Sequence, residues 1–170
     1  GMCIFKAGDL FHTGIVCVDL EQTMQELEDI GGYRWMRPLR FPVPIWAPTG
    51  TSVVSLKMVY SLDEPKLELI EQVPGTCWMP APGNAIHHIG YSVDDVVASS
   101  LALVEKGYEV ETRADPGPGR PAGFHYHRMG DVRIELVPRT AMEDLQKLLA
   151  ALDARDAISA KATGAWAGSA

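Results

Sequence analysis

The stretch His12-Thr-Gly-Ile-Val-Cys-Val-Asp19 returns later in the chain as His88-Ile-Gly-Tyr-Ser-Val-Asp-Asp95. In both copies Gly follows the His at the second position and Asp at the seventh. Gly31 and Gly107 each lie 12 residues beyond the Asp, so one offset of 76 residues superposes both His, both Asp and both Gly. A second echo closes each copy: Leu67-Glu68-Leu69 in the first and Ile134-Glu135-Leu136 in the second. The chain therefore reads as a tandem duplication with one His and one Glu per copy.

Each copy has the same order of local signals. Residues 10–18 are rich in Val and Ile and alternate, which predicts a strand. Asp19 stands at an N-cap position, Leu20, Met24, Leu27 and Ile30 follow at helical spacing, and Gly31-Gly32 ends the helix. A short strand is expected near Tyr33 to Met36. Segment 37–50 holds Pro38, Pro42, Pro44 and Pro48 and is expected to be a long loop. Strands at 51–60 and 66–72 complete the copy. After a Pro/Gly-rich linker at 73–85, the second copy repeats the order: strand 86–93, N-cap Asp95, helix 96–106, strand 108–113, loop 115–123, and a hairpin of 124–128 with 132–137 around Gly130-Asp131. The expected fold is α+β, two βαβββ modules in tandem at about 9–72 and 86–139, with sheets facing each other around a central cleft. Leu145, Leu148, Leu149 and Leu152 predict an amphipathic C-terminal helix over about 141–155. One domain is expected over 1–156. The Ala/Gly/Ser-rich stretch 157–170, with Trp166, is expected to be a flexible tail, frayed or docked on a neighbouring subunit.

Composition narrows the function. A chain of 170 residues buries enough surface to fold without a disulfide. Cys3, Cys17 and Cys77 are odd in number and form no Cys-x-x-Cys motif, which suits a reducing compartment and predicts a cytoplasmic location. No apolar run approaches the roughly 20 residues a membrane helix needs. A net charge of −7 without a Lys/Arg cluster argues against nucleic acid as a partner.

The two His and two Glu carry the chemistry. Strand alternation puts His12, Gly14, Val16 and Val18 on one face, and Glu68 on the face opposite Leu67 and Leu69. A carboxylate bracketed by apolar neighbours is costly to bury unless a cation compensates it. Four such groups in equivalent repeat positions can meet on a pseudo-twofold axis. Two neutral imidazoles and two carboxylates neutralise one divalent ion, and nitrogen and oxygen donors suit Zn, Ni, Co, Fe or Mn. An octahedral ion so held keeps two adjacent positions for neighbouring oxygens of a substrate. His87 rivals His88; the repeat register selects His88, and alternation points His87 to the opposite face. His125 and His127 share a strand face and either line the pocket or face solvent.

These motifs, His12-x-Gly-Ile, Leu67-Glu68-Leu69, His88-Ile-Gly-Tyr-x-Val-Asp and Ile134-Glu135-Leu136, resemble the vicinal oxygen chelate superfamily over roughly residues 9–139. That superfamily carries the glyoxalase/bleomycin resistance/dioxygenase fold. The likeness looks closest to the glyoxalase I and methylmalonyl-CoA epimerase branch. It implies a single divalent metal per site, held by His12, Glu68, His88 and Glu135, and it gives Glu135 the role of catalytic base. The implied activity is that of a metal-dependent lyase or isomerase, abstracting a proton next to a metal-chelated carbonyl of a small molecule with vicinal oxygens. Two alternatives share the fold: an iron-dependent extradiol-type dioxygenase and a non-catalytic small-molecule binding protein. The additional first-module carboxylate of the epimerases has no counterpart in segment 37–50, which contains no Asp or Glu. Arg34, Arg37 and Arg40 are candidates for the glutathione-binding arginines of glyoxalase I. Trp35, Trp46 and loop 114–123 are expected to border the pocket. Relatives often pair, so a homodimer is expected.

Overall fold

The computed structural model describes residues 3–162, with side chains to residue 156. The first module runs β1 (Leu10–Cys17), α1 (Leu20–Gly31), β2 (Leu39–Ala47), β3 (Gly50–Tyr60) and β4 (Leu67–Glu71). The second runs β5 (His88–Val93), α2 (Val96–Glu105), β6 (Val110–Ala114), β7 (His125–Met129) and β8 (Val132–Pro138), and α3 (Arg139–Ala162) follows. The repeated Asp does the same work twice. The Asp19 carboxylate accepts the Gln22 N–H and the Asp95 carboxylate accepts the Ala98 N–H, each satisfying a donor that the first helical turn leaves free. Gly32 (φ 69°) and Gly107 (φ 92°) then take the left-handed conformation that ends each helix.

Among the described residues, eight strands close into one barrel in the order β1-β4-β3-β2-β6-β7-β8-β5. In each module the first and fourth strands run parallel, with Gly14 beside Glu68 and Gly90 beside Glu135. The modules join along β1 and β5, which pair antiparallel: His12 faces Gly90, Thr13 faces Ile89 and Gly14 faces His88. This register is symmetric about the Thr13–Ile89 pair, so a twofold axis passes there and exchanges His12 with His88. Outward-facing Leu69 and Val59 are fully buried in a core with Leu20. Ile134 and Leu136 do the same with Val96 and Leu103 of α2.

Four expectations give way. The cleft between facing sheets is replaced by a closed barrel, because β2 meets β6 through the pairs Ile45–Ala114 and Trp46–Arg113. The strand expected at 33–36 reduces to a bridge between Trp35 and Ser61. The true second strand lies in the proline-rich segment read as a loop. Its prolines all fall at even positions, and in a strand alternate residues present their backbone groups to opposite edges. The Pro44 carbonyl accepts the Asp115 N–H, so the even residues face β6 while the odd ones serve the ladder with β3. The missing donors therefore cost that ladder nothing. Finally, α3 continues to Ala162, beyond the helix end expected at 155; the rest of the expected tail, with Trp166, lies outside the described residues. Leu145, Leu149 and Leu152 seat α3 on the core of the first module, and Arg34 pins it by bridging Asp63 and Asp153.

Candidate metal centre

The symmetric register delivers four side chains to one point. Glu68, Gly14 and His88 lie in one row across β4, β1 and β5. His12, Gly90 and Glu135 lie in the other, across β1, β5 and β8. His12 Nε2 stands 3.0 Å from Glu135 Oε1 and 3.5 Å from Glu68 Oε1. His88 Nε2 mirrors it, 3.1 Å from Glu68 Oε1 and 3.5 Å from Glu135 Oε1. The two Nε2 atoms are 3.0 Å apart. One ligand atom from each residue thus falls within 4.8 Å of every other, in a single chain, and all four residues are buried.

The repeated His-x-Gly has a steric cause. Each His ring packs against the glycine of the other module. A Cβ on Gly14 would come within 2.0 Å of the His88 ring, and one on Gly90 within 2.2 Å of the His12 ring. The motif is therefore an interlock: each module supplies the gap that its partner's ligand fills.

Two buried carboxylates demand a compensating charge. Burial disfavours a charge on His12, but Glu68 and Glu135 beside it outweigh this and raise its pKa to about 10. Burial by itself would raise Glu68, yet the His12 and His88 contacts hold it well below the ordinary carboxylate range. One proton on His12 offsets one of the two negative charges. Glu135 Oε1 remains buried without a hydrogen bond among the described residues, as does His12 Nδ1. Neutral imidazole nitrogens and carboxylate oxygens in this arrangement fit a divalent cation, which would offset both charges.

The surroundings hold residues that sequence reasoning missed or misplaced. Tyr60 pairs across the ladder with Glu68, and Tyr126 pairs in the same way with Glu135. Burial, followed by the charge of the two glutamates, raises both phenols well above their ordinary pKa, so both stay protonated. The common signal was spacing, a Tyr eight residues before Glu68 and another nine before Glu135. Trp78, from the linker, is fully buried between the modules and donates its Nε1–H to the Tyr126 hydroxyl at 3.3 Å. His87 does not point away. It precedes β5, so ladder alternation does not govern it, and its Nδ1 lies 2.8 Å from His88 Nδ1. Burial lowers its pKa to about 4, which keeps it neutral.

Other candidates are engaged elsewhere. His125 and His127 are buried on the outward face rather than lining the site or facing solvent. His127 is held by Ser100 Oγ at 2.9 Å and the Tyr108 carbonyl at 2.7 Å, which ties β7 to α2. Arg34 serves α3, and Arg40 pairs with Glu71. Trp35 and Arg37 line a cavity of about 500 Å³ against α3, away from the four ligand groups. Trp46 packs under the Arg113 guanidinium at 5.2 Å. A second cavity, of about 560 Å³, reaches His87 and carries Arg128 and Arg133 on its wall.

Comparison with curated proteins finds no match. Solved structures give the fold. A methylmalonyl-CoA epimerase in complex with methylmalonyl-CoA and NH4+ is 21% identical, with a TM-score of 0.53 over 79% of this chain and 96% of its own. A Streptomyces coelicolor methylmalonyl-CoA epimerase variant in complex with 2-nitronate-propionyl-CoA is 22% identical, with a TM-score of 0.53 over 79% and 96%. The Mycobacterium tuberculosis methylmalonyl-CoA epimerase is 16% identical, with a TM-score of 0.52 over 81% and 92%. At these identities the likeness speaks for architecture. The sequence itself matches a family profile over residues 11–127, a span that takes in both histidines and Glu68, and the chain belongs to the Glyoxalase/Bleomycin resistance protein/Dioxygenase superfamily.

Proposed function

We propose that this protein is a metal-dependent lyase or isomerase that removes a proton next to a chelated carbonyl. In this reading His12, Glu68, His88 and Glu135 hold one divalent ion, and Glu135 is the base. The observation that carries it is the convergence of these four buried groups on the twofold axis. The ion would supply Lewis acidity toward a substrate carrying vicinal oxygens.

The chain's own residues divide the remaining work. Glu68 and Glu135 are held alike, by His88 at 3.1 Å and by His12 at 3.0 Å, and the role of base falls to Glu135 by its likeness to the glyoxalase branch. Tyr60 and Tyr126, protonated and next to the two glutamates, can donate hydrogen bonds to a carboxylate or a substrate oxygen. Trp78 and the closed sheet keep water from the abstracted proton. The fold neighbours include an epimerase complexed with an acyl-CoA, which makes 2-substituted acyl thioesters one substrate class to try and α-dicarbonyl adducts the other. A cytoplasmic homodimer belongs to the same proposal; Cys17 and Cys77 are unpaired thiols, as a reducing compartment allows.

The test is exchange of a substrate's α-hydrogen with D2O, followed by mass spectrometry, on metal-loaded protein. Exchange with either class supports the reading. Glu135→Gln should lower it by about 10²- to 10⁴-fold, the ordinary contribution of a general base. Oxygen consumption with catechols and no exchange in the other two classes would replace this reading with the dioxygenase one.

A further inference from the structure

The cavity of about 500 Å³ between residues 35–39 and α3 lies away from the proposed metal site. One wall is flat and held from behind. Trp35 stacks on Tyr33 with ring centroids 5.5 Å apart, and its Nε1–H donates to the Met24 carbonyl at 3.3 Å. The rest of the lining is mostly apolar. Leu148 and Leu152, one helical turn apart on α3, border the space together with Leu39. Leu39 and Leu148 are 45% and 49% exposed, so two large uncovered side chains from distant elements look onto one hollow. Its charged groups are Arg37, Arg155 and a single carboxylate, Asp156. Arg34 is committed to Asp63 and Asp153, whereas Arg37 and Arg155 have no ion-pair partner among the described residues. In the second module the offset of 76 residues puts Glu111, bound to Arg133, in the place of Trp35, so the duplicated fold does not by itself require the indole wall.

We propose that this cavity binds a small amphiphilic carboxylate, one with an aromatic or short aliphatic body. Small-molecule sites run from about 300 to 1,000 Å³ and combine mostly apolar walls with a few placed polar groups. The hollow against α3 meets both conditions. The body of the ligand lies against Trp35, Leu39 and Leu148. Its carboxylate reaches Arg37 and Arg155, whose planar guanidinium forks match two carboxylate oxygens. Two arginines and one aspartate leave a single positive charge on the wall. A monoanion neutralises that charge, whereas an organic cation would add to it. Arg37 precedes β2 and Arg155 belongs to α3, so a carboxylate shared between them fastens the helix to the first module, as Arg34 does through Asp153.

The site is independent of the metal reading and of its D2O test. The experiment follows the indole N–H resonances of the ¹⁵N-labelled full chain, which has four tryptophans, with Trp35→Phe to assign the relevant one. Octanoate and 4-phenylbutanoate are the probes, and octan-1-ol and octylammonium are neutral and cationic controls of equal chain length. Either acid should shift the Trp35 resonance saturably. Octanoate should bind at least about 5-fold more tightly than octan-1-ol, the scale of an exposed charged pair, and octylammonium more weakly than both. Arg37→Gln combined with Arg155→Gln changes two exposed side chains and should reduce octanoate to the affinity of octan-1-ol. The absence of a saturable shift at Trp35 with both acids overturns the proposal. A smaller preference for octanoate over octan-1-ol makes the hollow merely apolar and overturns it too, as does full octanoate affinity in the folded double variant.

Discussion

His12 is where charge and pH meet in this molecule. Its folded pKa, about 10, lies above the unfolded value of 6.5 because the buried glutamates favour its proton. That contribution to stability is complete below about pH 6.5 and is lost as pH rises through about 10. Glu68 has the opposite sign: its depressed pKa contributes above the ordinary carboxylate range and is lost as pH falls through the folded value. A divalent ion held by the proposed ligands would take the place of the His12 proton, and its binding would be favoured as pH rises. Thermal melts from pH 6 to 10 should therefore show the chelator-treated protein losing Tm across this window. The metal-loaded protein should hold or gain. Parallel curves would mean that His12 carries no proton in the free site. The glycines are as exposed to test. Gly14→Ala must push the His88 ring out of place, so metal affinity measured by calorimetry should fall at least about 10-fold, the scale of a disturbed ligand support. Gly8→Ala, with open space around it, should leave affinity unchanged. The sequence showed His-x-Gly as a repeated pattern, but the reason for the glycine lies across the module boundary, in a ring 74 positions away in the chain for Gly14 and 78 for Gly90. His87 was misread because alternation describes residues inside a ladder, and β5 starts one residue later.

At the scale of an element, β2 shows what composition hides. Counting prolines predicts a loop; counting their parity predicts a strand with one unused edge. Pro42 and Pro44 present their missing N–H away from β3, and Pro38 and Pro48 lie just outside the strand. Moving one proline by a single position should be decisive. Val43→Pro removes a donor from the β2–β3 ladder and strands a buried carbonyl, at a cost of about 2–4 kcal/mol in urea-unfolding stability. Pro42→Val changes an edge position and should cost less than about 1 kcal/mol. Equal effects would show that the even edge is bonded after all. By contrast α1 and α2 were legible to within a residue or two, since Asp19 and Asp95 are local caps whose partners, Gln22 and Ala98, lie three residues away.

At the scale of the whole molecule, the barrel is closed by unequal seams. β1 and β5 pair across the twofold axis and carry the rows of the candidate site, whereas β2 and β6 touch through two residue pairs near Trp46 and Arg113. His12, Glu68, His88 and Glu135 are between 1% and 6% exposed, so on the proposed function a substrate would reach them through an opening of the wall. The short seam is the place for it. Amides of residues 45–46 and 113–114 should exchange with deuterium well before those of 12–16 and 88–92, and bound substrate should slow the former. Exchange in the reverse order would move the entrance to the other seam. Closure was not visible in the sequence because it depends on how far two strands from different modules approach, which no local pattern records.

The register that places Thr13 opposite Ile89 also says something about descent. A chain of one module has in β1 a strand that could lie across its own copy, Thr13 upon Thr13, and two His12 with two Glu68 would close the same ring. Joining the copies in one polypeptide released each half from having to match the other. Phe11 and His87 occupy the same place in the two halves and now differ, so a ring that is geometrically twofold has acquired a front and a back.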